Sequence, residues 1–254
     1  MSDNEGVTSD LTVLPIKASS NPIKCNRPFN PILPDVDNGC CVLLVSPVRT
    51  GKSTMISNLL LNPHFYRNCF DLVYIFSNTI DNDVTSRYLK EQFPDTIYSE
   101  YDERTLENIL NYQKSFAKKD QPTVAIIMDD FVGSIKQNSL FFKISSRYRH
   151  YNIKLLLYAT QLFKAVNTLV RQNVSDLLIG SPNPSTAEIE KLSEEYGALF
   201  EGDKNFRKLY RKCAPARYDF MYCRLQHNPS EAWASFKERV YIGSDTNEAP
   251  SDEE

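Results

Sequence analysis

The sequence lacks long hydrophobic runs. Its longest apolar stretches, residues 40–45 and 155–159, are too short to cross a bilayer. The first five residues, Met-Ser-Asp-Asn-Glu, have neither the basic nor the apolar region of a signal peptide. We therefore expect no transmembrane segment and no secretion.

Metal-binding patterns of cysteine and histidine are also missing. The six cysteines show no CxxC spacing, two of them are adjacent at 40 and 41, and three histidines are scattered at 64, 150 and 227. These spacings do not form a zinc site. Reduced, mostly buried thiols in a cytoplasm-like compartment are expected.

Composition and charge are those of a globular protein. Hydrophobic residues make up 41% and charged residues 24% of the 254 residues, and the net charge is -3. Residues 1–10 and 244–254 hold eight acidic and no basic residues, so the remainder has 29 basic and 24 acidic residues. This excess of positive charge is compatible with a polyanionic partner but does not require one.

The chain divides into three parts. Residues 1–38 read as an extended N-terminal arm, 39–241 as one domain and 242–254 as an acidic, disordered tail. Within the domain, buried strands alternate with helices, which predicts an α/β fold with a mostly parallel sheet and helices on both faces. Strands are predicted at 41–45, 72–76, 96–98, 124–128, 153–159, 176–179 and 218–224, the last of these being the final element. Helices are predicted at 52–61, 83–93, 103–117, 138–148, 163–171, 185–196 and 203–213.

The most informative stretch follows the first strand and reads Ser-Pro-Val-Arg-Thr-Gly-Lys-Ser-Thr over residues 46–54. It matches the P-loop pattern G-x-x-x-x-G-K-[ST] except at its first position. Backbone amides of such a loop and the following helix N-terminus converge on a phosphate. Lys52 is expected to reach the β- and γ-phosphates and Ser53 to hold Mg²⁺. The other residues predicted to contact ATP are Ser46, Arg49, Thr50, Gly51 and Thr54.

Ser46 stands where the pattern has its first glycine. Serine tolerates a positive φ poorly, so a turn that needs φ > 0 at this position would weaken nucleotide binding.

Two aspartates, Asp129 and Asp130, end the predicted strand at 124–128. One carboxylate at this place can support Mg²⁺, and a second can activate the attacking water. The pair therefore favours hydrolysis over simple nucleotide binding, whereas a pair of solvated acids in a turn is the alternative.

A glutamine, Gln161, follows the strand predicted at 153–159. If that strand lies between the P-loop strand and the strand before Asp129, its amide would lie near the γ-phosphate; capping of the next helix is the alternative. Arg149 and Arg171 flank this strand. An arginine supplied in trans often completes the site of an oligomeric ATPase, although ion-paired surface arginines would look the same.

The order of these motifs resembles that of the genome-packaging ATPases of large cytoplasmic DNA viruses. These include the poxvirus-type packaging ATPase and belong to the FtsK-HerA superfamily of P-loop motors. The resemblance covers roughly residues 40–182 and includes the P-loop strand, Asp129-Asp130, Arg149-His150, the strand ending at Gln161 and Val170-Arg171-Gln172-Asn173. It implies a P-loop fold with an additional catalytic strand, a ring oligomer with a hexamer as the expected form, and ATP-driven translocation of double-stranded DNA into a capsid.

The resemblance also implies roles for individual residues. Lys52 and Ser53 would bind phosphate and Mg²⁺, Asp129 would support the metal, and Asp130 would activate water. Gln161 would act as a sensor, with Arg149 and Arg171 as unranked candidates for the arginine finger. Asp130 stands where many superfamily members have Glu, which should at most slow hydrolysis. The implied surroundings are the host cytoplasm and the virion, with capsid or internal virion membrane components as possible partners.

A basic stripe at residues 204–217 contains no acidic residue. A helix there would bury Phe206 and Tyr210, which are spaced i, i+4, and present its basic residues outward. Such a stripe suits contacts to DNA phosphates, but a solvated helix face is equally compatible. The predicted DNA-binding residues are Lys204, Arg207, Lys208, Arg211 and Lys212.

Other functions remain open on the sequence alone. A small-molecule or nucleotide kinase also has a P-loop, and the 204–217 stripe could serve as its lid. A P-loop domain that has lost catalysis and acts as a scaffold is favoured only by Ser46. A helicase would normally bring further motifs or an accessory domain.

Overall fold

A computed structural model of the chain describes residues 23–81, 86–181 and 186–243. No helix in these ranges is long and apolar enough to span a membrane. The strands are β1 (Cys40–Val45), β2 (Leu72–Ser77), β3 (Ile97–Tyr98), β4 (Val124–Asp129), β5 (Ile153–Thr160), β6 (Asp176–Gly180), β7 (Phe220–Arg224), β8 (Glu231–Ala234) and β9 (Glu238–Ile242).

The strands of the described residues form one sheet of nine, in the order β3-β2-β4-β5-β1-β6-β7-β8-β9. The six strands from β3 to β6 are parallel to their neighbours, and β7, β8 and β9 are added antiparallel. The predicted mostly parallel α/β fold is therefore confirmed. β5 lies between β4 and the P-loop strand β1, as the additional-strand prediction requires.

The sheet is buried on both faces because its strands are apolar at consecutive positions. In β1, Cys41, Leu43 and Val45 pack into one hydrophobic cluster, whereas Cys40, Val42 and Leu44 pack into the other. Side chains of successive strand residues point to opposite faces, so an uninterrupted apolar run serves both layers. The rigid sheet positions the loops at its edges.

Helices cover the two faces. They are α1 (Lys52–Leu61), α2 (Arg87–Gln92), α3 (Glu103–Lys114), α4 (Leu140–Lys143), α5 (Thr168–Asn173), α6 (Thr186–Tyr196) and α7 (Asp203–Cys213). Part of the predicted 83–93 helix, residues 83–85, lies outside the described residues.

Two predicted helices are wrong in extent. The 138–148 segment is α4 followed by two short 3₁₀ turns. Ser145 Oγ donates to Phe142 O (2.8 Å) and Ser146 Oγ to Lys143 O (3.0 Å), and such side-chain bonds compete with the α-helical pattern. In the 163–171 segment, Asn167 accepts from the Leu169 amide (2.7 Å) and caps α5, so the α-helix begins only at Thr168.

The prediction that residues 218–224 form the last strand is also wrong. A β8–β9 hairpin follows β7 and extends the sheet edge. Its strands are short, and β9 is largely exposed with charged residues at its start, so it lacks the buried apolar signal of the central strands.

The segment before β1 is packed on the domain from residue 23 onward. Residues 23–39 form no helix or strand, yet Leu33 and Val36 are buried in the same cluster as α1. The domain limits predicted at 38 and 242 remain predictions. The predicted tail lies outside the described residues from residue 244 on. All six cysteines are free and five are buried, in line with the expected reduced thiols.

Candidate functional site

The P-loop, residues 46–53, connects the end of β1 to the start of α1. Gly51 has φ 95°, in the left-handed region, and a Cβ there would lie 3.2 Å from the Tyr218 ring. Thr50 Oγ1 donates to Pro47 O (2.7 Å) and holds the loop closed. The first turn of α1 has no acidic residue and no side-chain cap, so its amides remain free to bind an anion.

Ser46 fits the loop without the backbone strain that its sequence position suggests. Its φ lies outside the left-handed region, and its amide donates to Thr160 O of β5 (2.9 Å). The Ser46 hydroxyl lies 2.5 Å from Thr50 Oγ1 and faces Gly180 at the end of β6. A Cβ on Gly180 would lie 2.2 Å from Ser46 Oγ, so the glycine on β6 makes room for the serine.

The two aspartates converge on the P-loop lysine. Lys52 Nζ lies 3.4 Å from Asp129 Oδ1 and forms a close ion pair with Asp130 Oδ2, and all three side chains are largely buried. Asp130 has φ 59°, a conformation that bulkier residues adopt rarely and that turns its carboxylate toward the loop. Parallel strands bring their carboxyl ends to one edge, which is why residues far apart in sequence meet here.

Asp129 is fixed by the end of β2. Ser77 Oγ donates to Asp129 Oδ2 at 2.8 Å, and Thr79 Oγ1 lies 3.5 Å from the same atom. Asp129 Oδ1 has no hydrogen-bond partner among the described residues. Burial raises the pKa of Asp129 above its ordinary value, although the Lys52 ammonium acts in the opposite direction.

Gln161 completes the cluster from β5. Its Nε2 donates to Asp130 Oδ2 at 3.3 Å, so the carboxylate faces the lysine and the amide together. Because β5 lies between β1 and β4, the first residue after β5 falls between the P-loop and Asp130. The structure therefore brings Lys52, Asp129, Asp130 and Gln161 together.

A cavity of about 630 Å³ lies along the P-loop. Ser53, Thr54, Asp130 and Gln161 line it, together with Arg49 of the loop. We refer to it as the P-loop cavity. Its lining presents hydroxyls, a carboxylate, an amide and cationic side chains, which are groups that bind phosphate and a hard cation.

The two predicted finger arginines lie elsewhere. Arg149 Nε donates to Gly39 O (3.3 Å) at the amino edge of the sheet, where it lines a cavity of about 650 Å³ with Lys118, Lys119 and Lys154.

Arg171 pairs with Glu195 (2.7 Å) and lies over the Phe163 ring. Among the contacts of the described residues, neither of these arginines touches the P-loop of its own chain.

The basic stripe is helical, as α7. Phe206 and Tyr210 are buried, and Lys204, Lys208, Arg211 and Lys212 are exposed, with Arg207 intermediate. This burial pattern agrees with the amphipathic helix that was expected; binding of DNA by the stripe remains a prediction.

Several residues at the site were missed by sequence reasoning. Ser77 and Thr79 at the end of β2 hold Asp129, and polar residues after a strand at the carboxyl edge are the signal that could have found them. Arg217 Nη2 donates to Arg49 O (3.1 Å), and Tyr218 lies against Gly51. Neither follows a local pattern, because both reach the loop from a segment about 170 residues downstream.

A scan against protein-family models and a search of curated protein sequences each found no match. Solved structures with a similar fold include the genome packaging NTPase B204 from Sulfolobus turreted icosahedral virus 2. Its sulfate complex is 16% identical, with a TM-score of 0.55 over 79% of this chain and 98% of that chain. Its complex with ATP-gammaS is 16% identical, with a TM-score of 0.54 over 78% and 98%. The DNA-packaging ATPase B204 from Sulfolobus Turreted Icosahedral Virus is 15% identical, with a TM-score of 0.54 over 82% and 98%. This chain therefore shares the fold of the B204 packaging NTPases.

Proposed function

We propose that this chain is an ATP-hydrolysing motor of the FtsK-HerA type that packages viral double-stranded DNA. The observation that carries the proposal is the meeting of the P-loop lysine with Asp129, Asp130 and Gln161 at one edge of the sheet. The shared fold supports it, because B204 is a genome packaging NTPase and has been solved in complex with ATP-gammaS. A kinase has less support, since its site needs no second carboxylate beside the lysine.

Different residues of this chain act on the phosphates and on the attacking water during hydrolysis. The P-loop amides and Lys52 bind the β- and γ-phosphates and stabilise the negative charge that develops on them. Asp130 accepts the proton of the water that attacks the γ-phosphorus, and the bond to the β-phosphate oxygen breaks to leave ADP and phosphate. Gln161 donates to Asp130 and orients that carboxylate.

Mg²⁺, when bound with ATP, would neutralise charge on the β- and γ-phosphates. Asp129 and Ser53 are the residues that would hold it. The fit rests on Asp129 Oδ1, a buried carboxylate oxygen that lies 3.4 Å from Lys52 Nζ and accepts no hydrogen bond among the described residues.

The test is steady-state ATP hydrolysis with and without long double-stranded DNA. Lys52→Ala and Asp130→Asn should each lower kcat by about 10²-fold or more. Lys119→Ala and Asp120→Asn are matched controls, because both residues are exposed and precede β4 at the opposite edge of the sheet. We expect the controls to hydrolyse ATP like the parent protein, and DNA to raise the rate of all active variants.

Two outcomes would contradict the proposal in different ways. A rate of ATP hydrolysis that DNA does not change would favour the kinase alternative, and phosphoryl acceptors would then be tested. A folded protein that neither binds nor hydrolyses ATP would favour the inactive scaffold.

Double-stranded DNA is the proposed partner, and the exposed basic face of α7 is the proposed contact. Replacing Lys204, Lys208 and Lys212 together by Ala should weaken DNA binding. It should also lower the slope of log K against log salt by about 0.9 for each lysine that contacts a phosphate. Lys118→Ala with Lys119→Ala is the control from the basic cavity at the amino edge. If the control loses DNA binding and the α7 variant keeps it, α7 is not the contact.

We further propose a hexameric ring in which Arg149 or Arg171 reaches the site of the neighbouring subunit. A finger in trans predicts complementation: Lys52→Ala and the arginine variant are each inactive alone, and mixing them restores part of the activity. If neither arginine variant restores ATP hydrolysis when it is mixed with Lys52→Ala, neither arginine is the finger. The proposed places of action are the host cytoplasm and the virion, with capsid or internal virion membrane components as further partners.

A further inference from the structure

A second cavity, also of about 630 Å³, adjoins the P-loop on the side of β6 and β7. It shares the lining residues Gly51, Lys52, Thr54 and Tyr218 with the P-loop cavity, so the two cavities adjoin at the loop. Its volume is within the range of pockets that bind small organic ligands. Because its wall is built from aromatic side chains, we call it the aromatic cavity.

The apolar wall joins Phe65, which follows α1, to the β7–β9 region far downstream. Phe236, in the β8–β9 turn, lies with its ring centroid 5.7 Å from that of Phe65 and 5.0 Å from those of Phe220 and Tyr222. Phe65 and Phe236 are only partly buried, and both line the cavity. Flat, partly exposed rings fixed by their neighbours form a surface on which another aromatic ring can stack.

Tyr218 lies where the two cavities meet. Tyr218 is 61% exposed, and its backbone has φ 73°, which is rare for a bulky residue. The strained turn is held by its amide, which donates to Ser181 O (3.3 Å), while the Arg217 guanidinium lies 4.9 Å from the ring. Strain of this kind is retained mainly where a residue has a role at a site.

We propose that the aromatic cavity binds the nucleobase and ribose of the nucleotide whose phosphates the P-loop holds. Tyr218 and Phe236 provide the stacking surfaces, so the β8–β9 hairpin takes part in substrate binding as well as extending the sheet. The proposal rests on the proposed function, since it requires a nucleotide at the P-loop. The ligand class is an aromatic nucleoside joined to a polyphosphate.

The experiment compares the affinity of each variant for ATP and for inorganic tripolyphosphate, both with Mg²⁺, by titration calorimetry. Tyr218→Ala should weaken ATP binding about tenfold, the loss typical of removing a stacking partner of a base, and leave tripolyphosphate binding unchanged. Phe236→Leu should weaken ATP binding in the same selective way while keeping an apolar side chain against Phe65. Tyr88→Ala, which removes an equally exposed tyrosine from α2, is the matched control.

The outcomes separate this inference from the function on which it rests. Lys52→Ala should weaken the binding of both ligands, because Lys52 is proposed to contact the phosphates that they share. If the parent protein binds ATP no more tightly than tripolyphosphate, or if Tyr218→Ala and Phe236→Leu leave ATP affinity within twofold, the base does not bind here, although the P-loop still functions. If the parent protein binds neither ligand, both the proposed function and this inference are wrong.

Discussion

The contact between Ser46 and Gly180 predicts a specific energetic coupling. Gly180→Ala would place a Cβ 2.2 Å from Ser46 Oγ and 2.9 Å from Ser46 Cβ, and real Cβ atoms do not approach so closely. The serine hydroxyl must then turn away and lose its 2.5 Å contact with Thr50 Oγ1. Overpacking typically costs about 1–3 kcal/mol and a lost hydrogen bond about 1 kcal/mol. We expect the free energy of unfolding to fall by about 2–4 kcal/mol.

The Ser46→Gly background should remove most of this penalty. Without the serine side chain, the nearest remaining Ser46 atom is its Cα at 3.4 Å, an ordinary contact. Gly180 does not need a positive φ, so Ala can adopt the native backbone there. Ser46→Gly alone should cost about 1–2 kcal/mol through the lost hydroxyl contact and the flexibility of glycine. The coupling energy between the two sites should therefore be about 2 kcal/mol.

Urea denaturation of the parent, both single variants and the double variant measures this coupling. Gly133→Ala is the control, because Gly133 is exposed, has no positive φ, and a Cβ there would meet nothing within 4 Å. It should change stability by no more than about 0.5 kcal/mol. If the effects of Ser46→Gly and Gly180→Ala add within about 0.5 kcal/mol, the packing argument at the start of the P-loop is refuted.

Three further predictions concern stability. Burial raises the pKa of Glu231, but hydrogen bonds from Trp233 and Arg239 lower it below its ordinary value overall. Glu231→Gln should lower the free energy of unfolding by about 1–2 kcal/mol at neutral pH. Because the pKa of Glu231 is lower in the folded than in the unfolded protein, this difference between parent and variant should shrink as pH falls below about 4.5. A difference that stays constant in acid denaturation would contradict the prediction. Asp102→Ala removes the N-cap of α3 and should cost about 1 kcal/mol in urea denaturation, with Asp102→Asn much milder. Tyr158→Phe leaves a buried carbonyl without the tyrosine hydroxyl at 2.5 Å and should cost about 1–3 kcal/mol, so an unchanged melting temperature would exclude that bond.

The central strands and the P-loop could be predicted because their signals are local. An apolar run such as β1 followed by Gly-Lys-Ser indicates a strand, a turn and a helix within some twenty residues. The position of Gln161 beside Asp130 also followed, once β5 was expected between β1 and β4. Parallel strands meet at one edge, so residues at strand ends could be grouped without knowing side-chain positions.

Predictions failed where the local signal is weak or where another segment decides. The 138–148 helix breaks into turns because serine hydroxyls bond to nearby carbonyls, and β9 was missed because it is short, charged and exposed. Arg149, a candidate for a finger in trans, lies at the amino edge of its own sheet because it precedes β5. Its role as a finger stays a prediction.

The sequence by itself determined the α/β class, the P-loop pattern and the two aspartates at a strand end, because helix and strand periodicity and loop motifs depend on neighbours along the chain. Only the tertiary structure decided that Gly180 makes room for Ser46 and that Tyr218 and Phe236 lie beside the P-loop. Those contacts join segments more than 130 residues apart. They depend on the order and register of the strands, which a local pattern of residues does not specify.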